Sequence, residues 1–171
     1  MVPSKKKQRI VGALGIAGIF ALVILIPVVQ AEEPIDFTQY ASCTFTLASE
    51  DKEFRFSTFE CTGITRSNQE NKVFDNMSVL DVGVGRREGS QSTTYSIAKY
   101  MDRDGDYVIM EFNESGPIGR GEGIWKILYG TGKWKGIKGS GKHAHVGGGK
   151  PIKPGTGQGY VRNTGTFELE K

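Results

Sequence analysis

The chain is 171 residues long, 37% hydrophobic and 24% charged, with two cysteines, two histidines and a formal net charge of +3. That length suits one domain with a hydrophobic core, and no linker or low-complexity break marks a second. The positive charge carries no case for a nucleic-acid partner, because Lys5, Lys6, Lys7 and Arg9 supply it and Glu32–Lys171 holds 18 basic against 19 acidic residues, net −1.

Residues 1–31 read as an export signal: a cationic start, an apolar run from Ile10 to Val29, and Val29-Gln30-Ala31 as small residues for cleavage after Ala31. The alternative is a retained membrane anchor, since 20 apolar residues are long enough to span a bilayer. On either reading residues 32–171 form one domain beyond a membrane, periplasmic or secreted if cleaved and anchored if not. Charge is segregated there, with a net −8 from Glu32 to Glu114 and +7 from Ser115 onward.

Short runs rich in Val, Ile, Phe, Tyr and Thr recur between turn residues, and no window keeps a 3.6-residue apolar period. Strands are predicted near Ser42–Leu47, Glu53–Thr62, Met77–Gly85, Thr93–Met101, Asp106–Asn113, Arg120–Tyr129, Ser140–Val146 and Gly159–Leu169. The fold class is therefore all-β: an eight-stranded antiparallel barrel of calycin-like shape, which leaves no open edge.

Two hairpins follow in chain order. If Phe45 faces Phe59, the same antiparallel register sets Cys43 opposite Cys61. A disulfide there would close a loop of 17 intervening residues, worth about 3 kcal/mol in the chain-entropy view; the alternative is two separate buried thiols. Asp104-Gly105 predicts a two-residue type I′ turn that pairs Met101 with Val108 and Tyr100 with Ile109. Sixteen of the 24 glycines fall at or after Gly116, where they permit tight coiling and close backbone approach.

The segment GEGIWKILYGTGKWKGIKGSG resembles the strand, Gly-Thr-Gly turn, aromatic and Gly-x-Gly strand of the allene oxide cyclase barrel-like superfamily, to which dirigent proteins are related. Small exported bacterial members of undefined activity are the nearest in pattern. The similarity is carried by residues 120–141 and more loosely by Tyr95–Asn113. It identifies Gly130, Thr131, Gly132, Trp134 and Gly136 as a structural turn. It implies an eight-stranded barrel with a hydrophobic central cavity, often a homo-oligomer, and transfers no catalytic residue.

Candidate chemistry is sparse. Gly136–Lys142 matches a phosphate loop up to its last place, but His143 replaces the Ser or Thr, and three glycines and two prolines prevent the required helix. Asp102, Asp104 and Asp106 lack the glycine and glutamate positions of an EF-hand and read as a hairpin tip. His143 and His145 share one strand face and are weak metal candidates that need a third ligand from Glu122, Glu168 or a cysteine; otherwise both are solvated at the rim. Lys126, Lys133, Lys135, Lys138 and Lys142 around Trp125 and Trp134 read as solubilising residues rather than a polyanion surface. Aromatic side chains either fill the barrel or line a cavity for one small ligand, with Tyr95, Tyr107, Phe112 and Trp125 the candidates.

The leading expectation is an exported barrel that binds a small apolar or aromatic molecule or serves a structural role in the envelope, more a binder than an enzyme. The alternative is a cyclase- or isomerase-like enzyme using the same cavity. No cofactor and no nucleic acid are expected, and membrane contact is confined to residues 10–29 if they stay attached.

Overall fold

A computed structural model describes residues 31–49, 51 and 53–169. The expected export or anchor segment lies outside the described residues, apart from Ala31. Eight strands follow one another in sequence and in space: β1 (Glu33–Leu47), β2 (Phe54–Ser67), β3 (Ser78–Glu88), β4 (Gln91–Met101), β5 (Tyr107–Pro117), β6 (Glu122–Gly130), β7 (Ile137–Gly149) and β8 (Thr156–Leu169). Each pairs antiparallel with the next, and β1 pairs with β8 to close the barrel. The only helical element among the described residues is a 3₁₀ turn at Gly132–Trp134, so none of their helices is long and apolar enough to cross a membrane.

β1 begins nine residues earlier than predicted, at Glu33 rather than Ser42. Ile35, Phe37 and Gln39 continue the inward phase of Ala41 and Cys43; β8 pairs with all three, and β2 with Phe37 and Gln39. β7 likewise begins at Ile137, whose side chain is buried.

The first hairpin has the predicted register. Phe45 faces Phe59, Cys43 faces Cys61, and the two sulfurs are joined. The Asp-Gly hairpin differs by one residue: Met101 pairs with Tyr107 and Tyr100 with Val108. Gly105 alone in this turn has positive φ (90°), whereas a type I′ turn needs two such residues. Asp102 decides the matter. Its Oδ1 accepts the amides of Asp104 and Asp106, and the Gly105 amide donates to its carbonyl, which builds a three-residue loop closed by a left-handed glycine.

The barrel interior divides by height. Towards the chain's entry into β1 it is packed solid by Ile35, Phe37, Val79, Ala98, Tyr100, Val108, Met110, Trp125, Ile127 and Phe167. The β2–β3 connection swings Phe74 into this end, where its ring stacks on Phe37 at 5.1 Å and meets Trp134 at 5.4 Å. Thr65 holds the plug, its hydroxyl donating to the Phe74 carbonyl and accepting the Met77 amide. Trp134 is anchored as well, since its indole N–H donates to Asp102 at 3.0 Å while Lys133 pairs with the same carboxylate at 2.8 Å. Thr131 exchanges hydrogen bonds with Tyr107, so the Gly-Thr-Gly segment is a clamp across the closed end.

Gly141 and Gly165 face each other across β7 and β8, and the Trp125 ring occupies the space their side chains would take. Gly141→Ala should therefore destabilise the barrel by roughly 1–3 kcal/mol through overpacking, read as a lowered denaturant midpoint. Replacing both cysteines by serine should cost about 3 kcal/mol, and added reductant should have no further effect on that variant.

Candidate functional site

The opposite end of the barrel is open. A cavity of about 450 Å³ runs down from it, walled by Ala41, Phe45, Phe59, the Cys43–Cys61 disulfide, Val161 and the glycines of β7 and β8. The small side chains are what keep it hollow, because eight strands enclose only enough width for side chains or one small ligand.

Its floor is polar. Strand alternation points Gln39 of β1, Asp81 of β3, Ser96 of β4, Phe112 and Glu114 of β5, and His143 of β7 to one level of the interior. The Glu114 Oε2 atom lies 2.6 Å from Nε2 of His143 and 3.4 Å from Nε2 of His145. Burial raises the Glu114 pKa, but the hydrogen bonds and charge of the two histidines outweigh it and hold the group at about 2. Glu114 is thus a carboxylate at neutral pH, and Nε2 of His143 donates to it. The same contact raises the His145 pKa against the opposing effect of burial.

Asp81 is the counterpart. Burial pushes its carboxyl up from the ordinary value, hydrogen bonding from Ser96 and Gln39 and the charge of His143 oppose the rise, and the Glu114 charge adds to it. The pKa values of two carboxyls of one interior are thereby driven apart, Glu114 downward and Asp81 upward. Several buried polar atoms of this layer have no partner among the described residues: Asp81 Oδ1, His143 Nδ1 and both amide atoms of Asn163, the cross-strand neighbour of His143. Beneath them the Tyr100 hydroxyl donates to Gln39 at 2.6 Å.

Of the residues expected to line a cavity, Phe112 does so, its ring 5.4 Å from that of His143. Trp125 is buried in the packed half, with its indole N–H donating to the Lys142 carbonyl. Tyr95 and Tyr107 lie on the outer face, Tyr95 exposed and Tyr107 under the Lys99 ammonium. Both are out of phase with the inward residues Ser96 and Val108.

The histidines do share a strand face, but the solvated-rim reading fails for His143, which is buried. The group that meets both rings is Glu114 rather than Glu122, Glu168 or a cysteine. Among the described residues no group of three or more His, Cys, Asp or Glu has the arrangement to hold a metal ion. The signal for Asp81 and Glu114 was present in the sequence: each stands in phase with inward residues, Asp81 with Val79 and Gly83, Glu114 with Met110 and Phe112.

No protein-family model matches this sequence, and no curated protein matches it. Among solved structures, a pterocarpan synthase dirigent protein is similar over 82% of this chain and 93% of its own, with a TM-score of 0.52 and 9% sequence identity. The barrel is dirigent-like. At that identity the likeness extends to the fold alone, and the allene oxide cyclase and bacterial parts of the expected resemblance gain nothing from it.

The pH dependence of stability follows from Glu114. Its folded pKa is depressed, so its stabilisation is full above the unfolded value near 4.5 and is lost as pH falls towards about 2. Glu114→Gln should therefore be less stable than the natural protein at pH 6, with the gap narrowing between pH 4.5 and 2 in denaturant titrations. Asp81→Asn should act in the opposite sense, gaining relative stability as pH rises, because it removes a carboxyl whose raised pKa makes ionisation in the folded state costly.

Proposed function

We propose that the barrel binds one small, partly aromatic molecule in its open half, with a polar group of that molecule directed at the Asp81–Glu114–His143 floor. The observation that carries this reading is the cavity itself: about 450 Å³, apolar and aromatic on its walls and ionisable at its base. A molecule bearing a hydroxyl or carbonyl would offer the unpartnered floor atoms the hydrogen bonds they lack. The dirigent likeness directs attention to reactive phenolic molecules, which such a cavity would bind or guide.

A second reading, a cyclase- or isomerase-like activity, is favoured by the divergence of Asp81 and Glu114. A carboxyl whose pKa is raised by burial, in the same interior layer as a fixed carboxylate–imidazole pair, is an arrangement suited to proton transfer, whereas simple retention of an apolar ligand requires no such pair. We further infer that the domain works in an oxidising compartment, periplasmic or secreted, as supported by the Cys43–Cys61 disulfide.

Filling the cavity tests the proposal. The natural protein should bind 2-naphthol, a neutral aromatic hydroxyl compound, saturably, and Ala41→Trp should weaken that binding about tenfold or more by occupying the cavity wall. Tyr95→Ala, on the outer face, should leave it unchanged. No saturable binding, together with an empty protein by native mass spectrometry of material from its own host, would refute it.

A further inference from the structure

The two ends of the barrel differ in charge and in exposed apolar surface. At the closed end the connections carry Glu70, Asp75, Asp102, Asp104 and Asp106, against Lys72, Arg103, Lys133 and Lys135. At the open end Arg55, Arg86, Arg87, Arg120, Lys150 and Lys153 surround the mouth, against Asp51, Glu53, Glu88 and Glu122 among the described residues. Glu88 is engaged by Arg86 at 3.2 Å, and Arg120, Lys150 and Lys153 have no ion pair with a described carboxylate.

Arg55 and Arg87 stand directly opposite each other on β2 and β3, both in the inward phase at the rim. Like charges in a cross-strand pair repel; Arg87 Nε donates to the Gly89 carbonyl at 3.1 Å, but no described carboxylate neutralises either guanidinium. An external anion would.

Apolar side chains project among these cations. Ile152, at the tip of the β7–β8 connection, is 90% exposed, and Ile118 in the β5–β6 connection, Leu47 and Phe54 are exposed at the same end. Isolated exposed apolar residues are ordinary on protein surfaces. Several in the loops around one cavity mouth, interleaved with arginine and lysine, match the two-layered chemistry of a bilayer interface: anionic head groups above, hydrocarbon beneath.

We propose that the open end of the barrel docks on an anionic lipid bilayer, with Ile118 and Ile152 entering the interface and Arg55, Arg87, Arg120, Lys150 and Lys153 meeting the head groups. This docking stands independently of the cavity's ligand, though it would open the cavity towards the hydrocarbon, a source of apolar molecules. A second copy of the chain is the competing occupant; its closed end exposes Tyr129 and Met101 but, with five acids against four bases in its connections, offers the cations of the mouth little opposite charge.

The test uses soluble protein recovered after export under its own N-terminal segment. Ile152→Trp places a reporter at the mouth and Arg103→Trp one at the closed end, each compared with the natural protein, whose Trp125 is buried in the barrel and whose Trp134 is half-buried in the closed-end turn. With vesicles of brominated phosphatidylglycerol, the emission of Ile152→Trp should be quenched and that of Arg103→Trp should not. Brominated phosphatidylcholine vesicles should quench neither. Adding Lys150→Glu and Lys153→Glu to the mouth reporter should raise the lipid concentration for half-quenching about tenfold or more, and higher salt should act in the same direction.

The proposal is overturned if the mouth reporter is not quenched, if both lipids quench it equally, or if the closed-end reporter is quenched instead. Self-association without vesicles that is abolished by the two lysine substitutions would assign the surface to a second copy.

Discussion

Closure governs this molecule. Twelve residue pairs between β1 and β8 join the first strand to the last, and once the sheet is closed the interior radius is set by strand number and stagger rather than by side chains. Everything inside must then fit a tube of fixed width. Large aromatic residues satisfy that condition at one end only where glycines give way to them, as Gly141 and Gly165 do for Trp125. At the other end small residues leave the tube unfilled, and a cavity is the result.

The polar layer between the two halves is a consequence of the same geometry. Asp81, Glu114 and His143 cannot turn outward without slipping a strand by one residue, which would expose the apolar set beneath them. The charges are accommodated by one another instead. Glu114 accepts from two imidazoles, and its ionised form is favoured despite burial. Asp81 has no such partner for Oδ1, so its charge is disfavoured. Glu114 thus adds stability while ionised and Asp81 loses it, and groups shifted in opposite senses within one site are a pattern found at binding and catalytic centres.

Much of the fold was legible in the residues. Period-2 patterning gave eight strands and a barrel, and the Phe45–Phe59 match located the disulfide. What misled was local turn chemistry at Asp104-Gly105, where one carboxylate two residues upstream, Asp102, changed the loop length and the register. The site was less legible. His143 and His145 drew notice by type, but the partner that gives them meaning is 29 residues from His143 in sequence, on β5. Tyr95 and Tyr107 drew notice for their rings, and phase placed them outside. Phe74, which plugs the barrel, sits in a connection that carries no strand pattern at all.

The residues alone thus established the elements, their antiparallel order and the disulfide, because these depend on residues near in the chain or in one hairpin register, whereas the clamp that ties Trp134 to Asp102 and Thr131 to Tyr107 spans two connections. Only the tertiary structure decided which half of the barrel is hollow, which carboxyls reach the interior together and how their charges are balanced. Those properties arise from side chains contributed by six separate strands at one height of the tube. Such a height is fixed by the stagger of all eight strands at once, and no single segment encodes it.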